Sequence, residues 1–182
     1  MIVLGQQNII TKVANEELNN YLQKIPVGQE KMFGFTNRGE FSQAEIGTPY
    51  EVFTLSPEFF DTKNIISNKT YIVSAENWRV PIIVNNQHRA LLTVSMVNNQ
   101  WSVVKLGAKG LAEELDVFNK NHPSINESKI LRVFQLKGDF IFTSENIVYP
   151  LTSARNGLLI DNSENKGYSI YEILTLIKNN RN

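Results

Sequence analysis

The chain has 182 residues, 42% hydrophobic and 20% charged, with eighteen basic and eighteen acidic side chains and no cysteine. A chain of this length buries on the order of 70% of its unfolded surface and needs neither disulfide nor metal to fold. The charge balance removes the electrostatic footprint of a protein that neutralises nucleic acid or sits on anionic lipid. The missing thiol excludes a cysteine nucleophile, a Cys-ligated zinc, an iron–sulfur cluster and a redox switch.

The apolar start Met1 to Leu4 is shorter than the 7 to about 15 apolar residues of an export signal, so residues 1–7 are expected to be a processed or a frayed N-terminus. No stretch approaches the roughly 18 apolar residues of a membrane-crossing helix. A surface rich in asparagine on a neutral chain suits a bacterial extracytoplasmic protein, whether periplasmic, surface-bound or secreted, with a cytoplasmic placement as the alternative. Asn68-Lys69-Thr70 and Asn126-Glu127-Ser128 fit the glycosylation sequon, and chance accounts for both in a chain so rich in asparagine.

Taken in chain order, Ile9, Ile10, Val13, Ala14, Leu18, Tyr21, Leu22 and Ile25 recur at helical spacing, with Glu16, Glu17 and Lys24 opposite. The pattern predicts an amphipathic helix over 9–25, stopped by Pro26 and Gly28. Phe33-Gly34-Phe35 is read as a short strand, 38–46 as a short helix with Asn37 at its start, and Tyr50–Leu55 as a strand. Ser56-Pro57 then opens one helical turn through Phe59 and Phe60.

Three apolar runs between residues 70 and 106 are separated by the same tripeptide, Asn85-Asn86-Gln87 and Asn98-Asn99-Gln100. Asparagine tolerates positive φ, so both predict hairpin turns and the whole segment an antiparallel meander. With three-residue loops, Trp78, Val80, Ile82 and Val84 share a face with His88, Ala90, Leu92, Val94 and Met96, and then with Val104 and Leu106. The opposite face carries Ile83, Leu91, Val97, Trp101 and Val103 among Arg79, Arg89, Thr93, Ser95 and Lys105. Pro81 lacks a ladder donor and marks an edge or a bulge.

Leu111, Ala112, Leu115 and Phe118 predict a further helix, closed by Asn121-His122-Pro123-Ser124. Residues 130–136 and 140–143 form a hairpin across Lys137-Gly138-Asp139, and 147–151 add a strand. Asn156-Gly157 is read as a turn, Leu158–Ile160 as a short strand and 161–167 as a polar loop. Ser169 and Glu172 make a capping box, with a staple between Tyr168 and Ile173, that launches a helix through Ile177. These elements predict a single α+β domain over 1–182, a curved antiparallel sheet with N-terminal and C-terminal helices packed on it. In outline this is similar to small extracytoplasmic bacterial domains such as cystatin-like and prodomain-like modules, a likeness of architecture that carries no residue motif.

The chemistry searched for along the chain is sparse. Gly107-Ala108-Lys109-Gly110 lacks the phosphate-loop ending, there is no G-x-S-x-G elbow, and His88 and His122 are too far apart to form a helical ligand pair. Glu113, Glu114 and Asp116 read as a solvated helix face. No catalytic constellation, metal site or cofactor is therefore expected. The Trp- and Arg-bearing outer face of the meander has the composition of a recognition surface. The expected binding residues are Trp101, Arg89, Leu91, Arg79 and His88, with Trp101 and Arg89 flanking the surface and Trp78 in the core. The reading is a non-catalytic binding domain for a protein or small-molecule ligand, with no nucleic-acid partner. One alternative is a hydrolase using carboxylates or His88, which the hairpin sets near Glu76 and Arg79 across the turn region. Another is a protease inhibitor or prodomain-like module.

Overall fold

The computed structural model describes residues 2–62, 64–65, 71–125, 127–161 and 166–180; both sequons start at asparagines outside the described residues. Nine strands form an open, mixed, mostly antiparallel sheet among these residues: β1 (Glu45–Ile46), β2 (Tyr50–Leu55), β3 (Ile72–Val84), β4 (Gln87–Val97), β5 (Gln100–Gly107), β6 (Ser128–Val133), β7 (Gly138–Thr143), β8 (Ile147–Pro150) and β9 (Tyr168–Ser169). Their order is β5-β4-β3-β2-β6-β7-β8-β9, with β1 pairing β3 off that path. The helices are α1 (Ile2–Gln23), α2 (Pro57–Asp61), α3 (Lys109–Asn121), α4 (Thr152–Leu158) and α5 (Ile170–Asn179). None among the described residues is long and apolar enough to cross a membrane. The chain passes three times between two compact units, one made of 1–50 and 76–124, the other of 51–75 and 125–182.

In the first unit, Ile10, Ala14, Leu18 and Leu22 form the buried stripe of α1, which with Ile25 just beyond its end packs in one cluster with Trp78, Val80, Ile82, Ala90, Leu92 and Val94 of the meander. The spacing of three and four residues along the helix is what keeps this stripe on a single face. The helix begins at Ile2, earlier than the apolar pattern alone indicates. Phe33-Gly34-Phe35 is not a strand: a 3₁₀ turn over Glu30–Phe33 ends at Gly34, whose φ of +91° is left-handed. A Cβ at Gly34 would overlap the Arg89 carbonyl oxygen, so only glycine lets the two backbones meet there. Residues 38–46 likewise divide into a 3₁₀ turn over Arg38–Gln43, opened by the Asn37 side chain accepting from the Gly39 amide, and the short strand β1.

The meander turns where asparagine predicts, but with two residues in each loop. Asn85 and Asn86 have φ of 52° and 57°, and Asn98 and Asn99 have φ of 49° and 61°, the paired left-handed geometry of a tight hairpin. Two bulges then shift the register. Ile83 pairs with His88 while Ile82 pairs with Ala90, which leaves Arg89 as the extra residue. Val94 pairs with Val103 while Thr93 pairs with Lys105, which leaves Val104 extra. Each bulge adds the residue that the shorter loop omits, so the expected partners Val80 with Leu92 and Leu92 with Leu106 are recovered in mid-sheet.

In the second unit β2 and β6 pair in parallel, Val52 opposite Ile130, a departure from an all-antiparallel sheet. The β6–β7 hairpin forms, but it turns earlier than expected: the reversal is a 3₁₀ turn over Phe134–Leu136 and a left-handed Lys137, so Gly138 and Asp139 pair within β7 and not in the turn. Asn156-Gly157 is helical, inside α4, and Leu158–Ile160 is the end of that helix with Leu159 in the left-handed region. The cause is packing: a Cβ on Gly138 would lie 2.9 Å from Ala154 Cα, and one on Gly157 would lie 3.1 Å from the Leu136 carbonyl oxygen. The two glycines let α4 rest directly on the end of the hairpin. The Ser169–Glu172 capping box is complete, and Tyr168 packs on the cluster that holds Ile173, Leu174 and Ile177 of α5.

Candidate functional site

Strand β4 organises the first unit because Ala90, Leu91, Leu92, Thr93 and Val94 are all buried, although a strand with one wet face would alternate. Its even-numbered residues from Ala90 to Val94 meet α1. Its other face carries α3, whose Ala112, Leu115 and Phe118 are buried. The outer face read as a recognition surface is thus the seat of a helix of the same unit.

The five expected binding residues separate accordingly. Leu91 is buried on the face opposite Ala90 and Leu92. Arg79 pairs with Thr93 on that same face and donates to the Thr93 hydroxyl. His88 follows Ile83 onto it as well, and not the Leu92 face on which a three-residue loop would place it, because the bulge at Arg89 separates His88 from Ala90. Arg89 instead holds two segments of the unit together, its Nη2 donating to Glu40 Oε1 at 2.9 Å with both side chains largely buried. Trp101 pairs with Met96 and, with Val103, packs against the α1 cluster, which corrects the expected face for both. A one-residue change in loop length flips every side chain up to the bulge, which is why the tip differs from the reading and the middle does not. Arg89 is near the start of β4, tied to Glu40, whereas Trp101 of β5 pairs with Met96 near the other end of β4 and packs on the α1 cluster.

A polar group lies instead between α3 and the strands. The Asn119 side-chain nitrogen donates to the Tyr50 hydroxyl at 2.8 Å, and Asp116 Oδ2 accepts from Lys120 Nζ at 2.6 Å. The Asp116 charge acts on both Tyr50 and His88. Burial raises the Tyr50 hydroxyl above its ordinary range, against the Asn119 hydrogen bond. Burial likewise holds His88 below the usual imidazole range, against Asp116 and the Ala112 backbone, while Lys120 pushes the same way as burial. His88 Nδ1 is closed off from solvent and has no hydrogen-bond partner.

The hairpin pattern sets Glu76 as the carboxylate near His88, across the turn. The residue that reaches it is Asp116, brought there by the docking of α3, and no local pattern announces that contact. Among the described residues no group of three or more His, Asp or Glu is placed to hold a metal ion. Comparison with family models, with curated proteins and with solved structures returned no match.

Proposed function

We propose that the chain is a binding domain of the bacterial envelope or of a secreted protein, and that the tip of the β4–β5 hairpin takes an apolar segment of a partner protein. The observation that carries this reading is the exposure of Met96 and Val97, at 41% and 40%, with Trp101 paired across from Met96. An indole buries large area and a thioether adapts to irregular apolar surface, and both serve in protein contacts. The β5 strand ends the sheet order, which leaves the tip open to approach. Farther along β5 the bulge at Val104 and the Tyr21 hydroxyl donated to the Val103 carbonyl interrupt the edge, features that discourage strand addition and favour side-chain docking at the tip. A protease as the partner would make the domain an inhibitor or prodomain-like module.

The Asp116 charge acting on His88 is the observation that favours a hydrolase instead. The closed Nδ1 supports a packing role for the imidazole over that of a base meeting substrate.

The test is to pan a displayed random-peptide library on the protein and measure the recovered peptides against Met96→Asp, Trp101→Ala and a Tyr171→Ala control. Binding should fall by about tenfold or more, or 1.4 kcal/mol, for the two tip variants and stay unchanged for the control. Peptides that bind Met96→Asp as tightly as wild type would overturn the reading.

A further inference from the structure

We propose that the seat of α3 on the sheet is an acid-released latch, in which a proton taken up by His88 finds no acceptor at Nδ1 and loosens residues 109–121 from β4. Three observations meet at this contact. The Nδ1 atom is buried without a partner, so the neutral ring is tolerated and a second ring proton is not. The helix enters through two residues of positive φ, Gly107 at 154° and Ala108 at 56°, and the latter provides no side-chain cap. What holds the helix down is the apolar contact of Ala112, Leu115 and Phe118, all buried, on the face of β4 that includes Leu91.

The charges around the ring do not rescue the imidazolium. Asp116 favours it, but that carboxylate is already paired with Lys120, which opposes it. Tyr50 is bonded to Asn119. Lys109 and Glu113 pair with each other on the outer side of the helix. From the sheet, β3 presents the apolar Ile83, and Glu45 of β1 lies one strand further along the same row, exposed. Desolvation therefore dominates. The folded protein binds the His88 proton less readily than the unfolded chain does. The latch is thus fully closed above the ordinary imidazole range, and its stability is lost as the pH falls through the lower value of the folded state. Release would bare Leu91 and the inner side of α3, an apolar surface made available by acid.

Amide hydrogen exchange on the full chain, corrected for the intrinsic pH dependence of exchange, reads this directly. Between about pH 7.5 and about pH 5, protection in 109–121 should fall at least about tenfold more than protection in α1. His88→Gln should remove that difference, and His122→Gln, altered at the end of the same helix, should keep it. Equal losses in α1 and α3, or an undiminished acid effect in His88→Gln, would overturn the proposal. A second measurement on wild type guards against a poorly folded variant. The nuclear magnetic resonance titration of the His88 ring should share its midpoint with the loss of α3 protection, and a mismatch between the two would also overturn it.

Discussion

The two units reverse their chains by different means. The unit of 1–50 and 76–124 uses pairs of left-handed asparagines at both hairpins, whereas the β6–β7 reversal in the unit of 51–75 and 125–182 takes a 3₁₀ turn and one left-handed lysine. Both then depend on glycine where backbone meets backbone: Gly34 against Arg89 in the first, Gly138 against Ala154 in the second. The difference lies in what a side chain would disturb. At Gly34 conformation and space are both forbidding, while at Gly138 the limit is space alone, since its φ is not in the left-handed region. Local turn chemistry is thus sufficient to start a hairpin, and close backbone approach decides what can pack on its end.

The comparison is broken most severely at Gly34. Gly34→Ala combines a left-handed backbone with an overlap on the Arg89 carbonyl, and should cost about 3 kcal/mol or more. Both tryptophans, Trp78 and Trp101, belong to the first unit, so the denaturant midpoint followed by tryptophan fluorescence should fall. Gly138→Ala tests the second unit, where the new Cβ would lie 2.9 Å from Ala154 Cα and the backbone there must shift. A loss of about 1 to 3 kcal/mol should show in amide exchange of β6 and β7. The smallest effect is at the start of α5: Ser169→Ala removes the acceptor for the Glu172 amide and should cost about 1 kcal/mol, read as faster exchange in the first turn of α5. A Gly138→Ala variant as damaged as Gly34→Ala would mean that conformation adds nothing to crowding at Gly34.

Part of the site was legible in the sequence. The asparagine pairs located both ends of β4, and a tryptophan placed directly after the second turn is indeed at the tip. Its face was not legible, because a two-residue loop followed by a bulge and a three-residue loop without one predict the same pairs in mid-strand. Arg89 reads as a surface cation, yet it is the bulged residue and is tied to Glu40, 49 positions away. Asp116, Tyr50 and Asn119 carried no signal at all, since their meeting depends on where α3 docks.

What the sequence determined by itself is local: the α1 stripe, the reversals at Asn85-Asn86 and Asn98-Asn99, the strand pattern of β2 and the capping box of α5. Each follows from short-range periodicity or from the conformational preference of one or two residues. Tertiary structure alone decided the parallel pairing of β2 with β6, the helical state of Asn156-Gly157 and the covering of Leu91 by a helix. These are outcomes of competition between distant segments for the same buried surface. The apolar run Ala90 to Val94 shows the division: its hydrophobicity demands cover on both faces, and only the assembled unit specifies that α1 takes one and α3 the other.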